Sequence, residues 1–138
     1  MFELVAENLH FSEGPRWHQN KLWFSDFYQH AVFSIDEQGI LEKVVDIPNQ
    51  PSGLGWMPDG SMLIVSMLDR KVMKYKDGNL SVHSDLSELT AFRCNDMVVD
   101  ENGNAYVGNF GSIYHAKNIK PTCLIFVNVN GDAKIIER

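Results

Sequence analysis

Three oxygen-bearing side chains fall at matching points of the sequence and could bind a metal ion together. They are Glu13, Ser52 and Asn95, and each stands just ahead of the first strand of a repeated unit. A carboxylate and an amide carbonyl that meet at one point are hard ligands suited to calcium or magnesium, and the lack of a His or Cys cluster argues against a dedicated zinc site. Spacing alone leaves a second interpretation open, in which Glu13 and Asn95 cap turns.

The repeated unit recurs about every forty residues. An apolar segment at 22–24 has counterparts at 63–65 and 105–107, and each of the three follows a polar turn. A period near forty with several short strands per repeat is the signature of a β-propeller blade. The sequence therefore predicts an all-β chain of three four-stranded blades. The blades are predicted at about 10–48, 49–90 and 91–138.

Hairpin turns separate the apolar segments, so each segment is predicted to be one strand of an antiparallel meander. The turn dipeptides are Asp59-Gly60, Asp77-Gly78, Asn102-Gly103 and Asn130-Gly131. Because the innermost strands of a propeller line its central channel, the three oxygen-bearing side chains are expected to converge on the axis. The stretch 85–89 is expected to be a turn-rich connection with no more than one helical turn.

The two ends of the chain bear on how the propeller closes. Residues 2–9 are predicted to form an outer strand ahead of the first repeat, and residues 133–137 to form the last outer strand. Propellers close with about four to eight blades, so three blades alone would expose two broad faces. Three interpretations are open: the N-terminal half of a longer polypeptide, which we favour, a half that pairs with another half, or a degenerate remnant.

Composition and charge exclude several classes of function. The net charge of −6 arises from interspersed acidic and basic residues, which offer no electrostatic footprint for nucleic acid. The N-terminus carries acids where a signal peptide needs a basic region, and no apolar run approaches the ~20 residues of a membrane span. We therefore expect a cytoplasmic protein that binds neither nucleic acid nor membrane. In that compartment Cys94 and Cys123 are expected to be reduced.

The motifs around the candidate ligands resemble one known family. Phe11-Ser12-Glu13-Gly14-Pro15-Arg16-Trp17 is followed by Pro51-Ser52-Gly53-Leu54-Gly55-Trp56 and then by Arg93-Cys94-Asn95-Asp96. This ordered set runs through nearly the whole chain and is similar to the gluconolactonase, regucalcin and senescence-marker-protein family. The resemblance implies a six-bladed propeller that binds one divalent cation at the top of its channel and hydrolyses sugar lactones.

The resemblance also implies roles for individual residues. Glu13 matches a metal-binding glutamate, and Asn95 matches an asparagine of the metal and substrate pocket. Arg93 matches a substrate-binding arginine, with a surface salt bridge as the alternative, whereas Asp96 is expected to cap backbone amides. Two further ligands, one of them the candidate general base, belong to blades beyond residue 138. The resemblance therefore implies no catalytic residue within this chain, and calcium as the expected cation, with zinc, magnesium or manganese as alternatives.

The expected function is metal-dependent hydrolysis of a small-molecule sugar lactone, with this chain as an N-terminal half that is inactive alone. A homodimer is a variation, in which two Glu13 and two Asn95 surround one cation. Two other hypotheses remain open: a non-catalytic calcium-binding or interaction propeller, and an aryl-esterase or phosphotriesterase on the same fold. Tyr114 and His115, in an insertion between residues 111 and 122, are expected to form a lid over the pocket.

Overall fold

The computed structural model describes residues 1–112 and 119–137, and within them the chain forms strands and turns but no helix. Blade 1 consists of β1 (Ser12–His18), β2 (Lys21–Asp26), β3 (Ala31–Asp36) and β4 (Leu41–Asp46). Blade 2 consists of β5 (Pro51–Trp56), β6 (Met62–Ser66), β7 (Lys71–Lys76) and β8 (Asn79–Asp85). Blade 3 consists of β9 (Cys94–Val99), β10 (Ala105–Asn109), β11 (Leu124–Val127) and β12 (Ala133–Glu137).

Each blade is an antiparallel meander in which strands adjacent in sequence pair with one another. Strand β5 contacts β1 and β2 on one side and β9 on the other, so the first strands of the three blades lie side by side. The predicted all-β architecture of three four-stranded blades is confirmed, because the sheets follow the repeats in order.

Two-residue hairpins connect strands where the sequence predicts tight turns. Asp77 and Gly78 both have positive φ angles, of 50° and 79°, between the paired residues Lys76 and Asn79. Gln19 and Asn20 adopt the same left-handed conformation between β1 and β2, with φ angles of 49° and 59°. Positive φ at both central residues is the requirement of a type I′ turn, whose twist matches that of the flanking strands.

Burial is deepest in blade 2 because both of its faces are covered. Every residue of β6 is buried, and its side chains alternate between two apolar cores. Ile64 packs with Val32 and Leu54 in the core between blades 1 and 2. Leu63 and Val65 pack in the core between blades 2 and 3. The outermost strands β4 and β8, by contrast, are largely exposed.

Glycines allow β5 and β9 to approach closely. A Cβ atom at Gly55 would collide with the side chain of Val99, and one at Gly53 would collide with the backbone at Met97 and with Asp96. Blade 2 can therefore pack this tightly on blade 3 only where its first strand lacks side chains.

The sequence makes a structural prediction for two segments outside the repeated strands, residues 2–9 and residues 85–89. The structure assigns no strand to residues 2–9, where the sequence predicts an outer strand. The segment finds no neighbouring strand among the described residues and instead packs through Ala6 and Leu9 on the outer face of blade 1. The stretch 85–89 ends β8 and continues as a turn, as predicted. Tyr114 and His115, the predicted lid, lie outside the described residues.

Candidate metal and substrate site

The same irregularity interrupts the first strand of every blade, at the positions of the candidate ligands. In each case two consecutive pairs are three residues apart on the first strand of the blade but only two residues apart on the second strand. The first strand therefore carries one extra residue, which defines a β-bulge. The bulges lie between Glu13 and Arg16, between Pro51 and Leu54, and between Cys94 and Met97. A bulge bends its strand and redirects side chains, and bulges are common beside active sites.

The bulges bring the predicted residues together. Glu13, Ser52 and Asn95 are each the second residue of the first strand of their blade, rather than preceding it. Ser52 is fully buried, and its hydroxyl donates to Asn95 Oδ1 at 3.3 Å. The hydroxyl also lies close enough to Glu13 to affect its ionisation. The spatial convergence expected from the repeats is therefore present in the fold.

Glu13 is the electrostatically unusual member of this cluster. Its Oε1 atom is buried without a hydrogen-bond partner among the described residues. Burial raises the pKa of the carboxyl, and the nearby charge of Asp96 adds to this effect, while the Ser52 hydroxyl opposes it. A buried carboxylate oxygen that lacks a partner is costly unless the group is protonated or a cation is bound. The donor set of a carboxylate and an amide oxygen therefore fits a hard divalent cation.

Asp96 is paired with Arg16, a residue that was not predicted to belong to the site. Arg16 Nη2 lies 2.7 Å from Asp96 Oδ1 and also donates to the carbonyl oxygen of Met97 at 2.7 Å. Asp96 Oδ1 accepts from the Met97 amide as well, at 2.8 Å, so the expected backbone capping is present. The partners are 80 positions apart in sequence, and no local pattern could have paired them.

Arg93 and Cys94 precede Asn95 and differ in what they can contribute. Arg93 is half-buried, and its backbone carbonyl accepts a hydrogen bond from the Phe110 amide at 2.9 Å, which anchors the entry into β9. Its role in substrate binding stays a prediction. Cys94 is fully buried, and burial raises the pKa of its thiol to about 12, so it is unsuited to act as a nucleophile.

The described residues contain no cluster of three or more His, Cys, Asp or Glu side chains placed to hold a metal ion. Among them, the candidate site therefore offers one carboxylate and one amide oxygen, beside a serine hydroxyl. Both cysteines are free, as expected. No helix in the part of the chain that the structure describes is long and apolar enough to cross a membrane.

Solved structures that resemble this chain share its fold. A gluconolactonase from Xanthomonas campestris superposes with a TM-score of 0.74 over 95% of this chain at 16% identity. The calcium-binding protein regucalcin from Agrobacterium tumefaciens gives 0.71 over 94% at 18% identity. Virginiamycin B lyase from Staphylococcus aureus gives 0.69 over 91% at 10% identity. At such identities the likeness establishes the propeller fold alone.

The chain spans less than half of these three structures, at 48%, 43% and 41% of their lengths. The sequence has no match among curated proteins. A family match covers nearly the whole sequence, from residue 11 to residue 138, and includes all three strands that carry the candidate ligands. The chain belongs to the SMP-30/Gluconolactonase/LRE-like family.

Proposed function

We propose that this chain contributes the metal-binding and substrate-binding side of a hydrolase that opens sugar lactones with the help of a divalent cation. The observation that carries the proposal is the buried, unpartnered Oε1 of Glu13 beside Ser52 and Asn95. Family membership and the resemblance to gluconolactonases support the reaction class.

In this proposal Glu13 and Asn95 hold the cation. Calcium is the expected ion because both donors are oxygens and regucalcin is described as calcium-binding, with magnesium, manganese or zinc as alternatives. The cation, when bound, polarises the lactone carbonyl and stabilises the negative charge that develops on its oxygen. Ser52 holds the Asn95 side chain by donating to Oδ1, which leaves the second lone pair of that oxygen available.

Arg93 is proposed to orient the substrate. Its planar guanidinium group can donate two parallel hydrogen bonds to neighbouring oxygens of a sugar acid lactone. Asn95, two residues further on, offers its amide nitrogen to the same ligand while its oxygen faces Ser52. These two residues would bind and position the lactone, while the proton of the attacking water is removed elsewhere.

The chain alone is proposed to be inactive. Glu13 is half-buried and is assigned to the cation in this proposal, so the described residues of the site leave no second carboxylate free to act as a general base. Asp96 is engaged by Arg16 and by the Met97 amide. The missing groups would come from further blades, supplied by a longer polypeptide or by a second half-propeller, a homodimer included.

Light scattering combined with a lactone assay tests the proposal. We expect no hydrolysis of δ-gluconolactone above the spontaneous rate by monomeric chain, and metal-dependent hydrolysis by an assembly that completes the propeller. In that assembly Glu13→Gln should abolish metal-dependent hydrolysis, whereas Glu42→Gln, an exposed glutamate paired with Lys21, should not change it. Unchanged activity of Glu13→Gln at limiting metal would contradict the proposal.

A calcium-binding protein without hydrolase activity is the second candidate, favoured by the likeness to regucalcin. Such a protein requires Glu13 and Asn95 to bind the ion, but it does not require Arg93. In the completed assembly, Arg93→Ala would leave calcium affinity unchanged under both hypotheses. Loss of lactone hydrolysis in that variant would support the hydrolase, and an assembly that binds calcium but never hydrolyses a lactone would support the binding protein.

A further inference from the structure

A cavity lies between blades 1 and 2, at the opposite ends of the strands from Glu13 and Ser52. It has a volume of about 270 Å³. Among its lining residues are His18, Trp56 and Lys76, which end β1, β5 and β7. Glu13 and His18 are five residues apart on β1, which corresponds to roughly 15 Å of strand. The cavity is therefore distinct from the candidate metal site.

Three aromatic rings make one wall of the cavity and hold one another in place. The His18 ring stacks on Trp56 with 4.0 Å between centroids and 14° between planes. Trp23 meets Trp56 edge to face, with the centroids 5.4 Å apart, and its indole nitrogen donates to the His18 carbonyl at 2.9 Å. Because Trp23 and Trp56 also pack against the core between the blades, the wall is formed before any ligand arrives.

Tyr75 adds a fourth aromatic side chain and ties the cavity to both blades. It lines the cavity from β7 of blade 2, and its hydroxyl donates to the Val44 carbonyl of blade 1 at 3.4 Å. The described structure thus builds every part of this cavity from blades 1 and 2. In this respect it differs from the metal site, for which the family resemblance implies ligands in further blades.

The rim of the cavity carries charges of both signs. Asp59 and Asp77 contribute carboxylates and Lys76 contributes an ammonium group. Lys76 and Lys74 lie 3.4 and 3.6 Å from Asp59 Oδ2. The Ser61 amide, aided by the two lysines, holds the pKa of Asp59 below its ordinary value, so this carboxylate stays ionised near neutral pH.

The rim offers no single sign of charge to a ligand. A cation would meet the ammonium group of Lys76 as well as the two carboxylates, and burial lowers the pKa of His18, so its ring is neutral near pH 7. An anion would meet Asp59 and Asp77. A neutral ligand with one apolar face and a ring of hydroxyl groups satisfies both the aromatic wall and the mixed rim, because carboxylates accept and ammonium groups donate hydrogen bonds.

We propose that this cavity binds a neutral hexopyranose ring, with the C–H face of the sugar against the aromatic wall and its hydroxyl groups on Asp59, Asp77 and Lys76. The assignment does not depend on the proposed hydrolase function. A sugar bound here lies on the opposite rim from Glu13, so it would be a retained ligand rather than the reacting lactone.

Tryptophan fluorescence of the 138-residue chain tests the site, with D-glucose as the probe. Trp17, which is 61% exposed, is first replaced in Trp17→Phe, so that the remaining signal comes from Trp23 and Trp56. We expect a saturable change with a dissociation constant on the order of 1 mM. Choline and benzoate serve as cationic and anionic comparisons and should bind more weakly than glucose.

Asp59→Asn is the informative variant, because an asparagine keeps the Oδ1 acceptor for the Ser61 amide and so preserves the turn. It should weaken glucose binding by about tenfold. Asp100→Asn is the matched control, since Asp100 accepts from backbone amides in the corresponding hairpin of blade 3 and lies outside the cavity. If Asp59→Asn fails to fold, Lys76→Met replaces it, with the same expected loss.

The proposal is overturned by any of three results. One is no saturable change at glucose concentrations of ~100 mM. Another is tighter binding of choline or benzoate than of glucose. The third is equal glucose affinity in the parent chain and in the folded rim variant. A missing lactonase activity would leave the outcome of this experiment unaffected, so the two proposals can fail separately.

Discussion

Arg16, on the first strand of blade 1, lies 2.7 Å from Asp96, on the first strand of blade 3. The strand between them, β5, carries Gly53, where a Cβ atom would collide with Asp96 and with the backbone of Met97. Arg16 also donates to the Met97 carbonyl. One guanidinium group therefore ties together the first and third blades beside the cluster of Glu13, Ser52 and Asn95.

Removing this contact should loosen the arrangement of the blades. We expect Arg16→Ala to lower the free energy of unfolding by about 1 kcal/mol, because the ion pair is partly exposed and one further hydrogen bond is lost with it. Urea denaturation provides the measurement. Lys21→Ala, which breaks the exposed pair with Glu42, is the control and should cost less. Equal effects of the two substitutions would mean that the bridge between blades contributes no more than an ordinary surface pair.

Gly53→Ala should be strongly destabilising, because the added methyl group meets backbone atoms of β9 that cannot move without separating blades 2 and 3. We expect a loss of about 1–3 kcal/mol in the free energy of unfolding. Gly108→Ala is the matched control, since its nearest neighbour would be at an ordinary contact distance of 3.7 Å. A Gly53→Ala protein as stable as the Gly108→Ala protein would show that the two strands are not closely packed at this point.

Asp26 should make stability depend on pH in the acid range. Its side chain is fully buried, and although burial acts to raise the pKa, hydrogen bonds from the His10 amide, the Gln29 side chain and the Phe11 amide lower it overall. A carboxyl with a lower pKa in the folded state stabilises the fold above its unfolded pKa, near 3.8, and this contribution is lost as the pH falls through the folded value.

The comparison of the wild-type chain with Asp26→Asn isolates this contribution. At pH 7 the free energy of unfolding of the variant should be lower by about 1–3 kcal/mol. The neutral amide oxygen of asparagine is a weaker hydrogen-bond acceptor than a carboxylate for the N–H groups that donate to this side chain. The difference in unfolding free energy should shrink as the pH is lowered below about 4. A difference that stays constant between pH 7 and pH 2 would refute the assignment.

The two thiols should react at very different rates in the folded chain. Cys94 is fully buried and burial raises the pKa of its thiol, whereas Cys123 is partly exposed. A thiol reagent such as Ellman's reagent should therefore label Cys123 first, and Cys123→Ser should remove the fast phase. Rapid labelling of Cys94 in native Cys123→Ser protein would contradict the buried position of β9.

Repetition in the sequence was enough to predict the blades and the convergence of Glu13, Ser52 and Asn95. Repeats impose the same local structure three times, and Asp77-Gly78 fixes its hairpin by backbone conformation alone. The structure assigns no strand to residues 2–9, because a strand is defined by a neighbouring strand and the described residues supply none there, so this strand stays a prediction.

Contacts between blades could not be foreseen in the same way. Arg16 pairs with an aspartate 80 positions away, so no local pattern in the repeats indicates the contact. The aromatic cavity depends likewise on how Trp23 and Trp56, from two blades, meet in space. Such relationships follow from packing angles between sheets, which a sequence pattern does not specify.

Glu13 is proposed to hold a divalent cation, and a calorimetric titration of Ca²⁺ measures whether it does. The chain itself, Glu13→Gln and the control Glu42→Gln should be compared. We expect saturable binding by the chain and by Glu42→Gln, and affinity at least about tenfold weaker in Glu13→Gln. Equal Ca²⁺ affinity in all three proteins would contradict it.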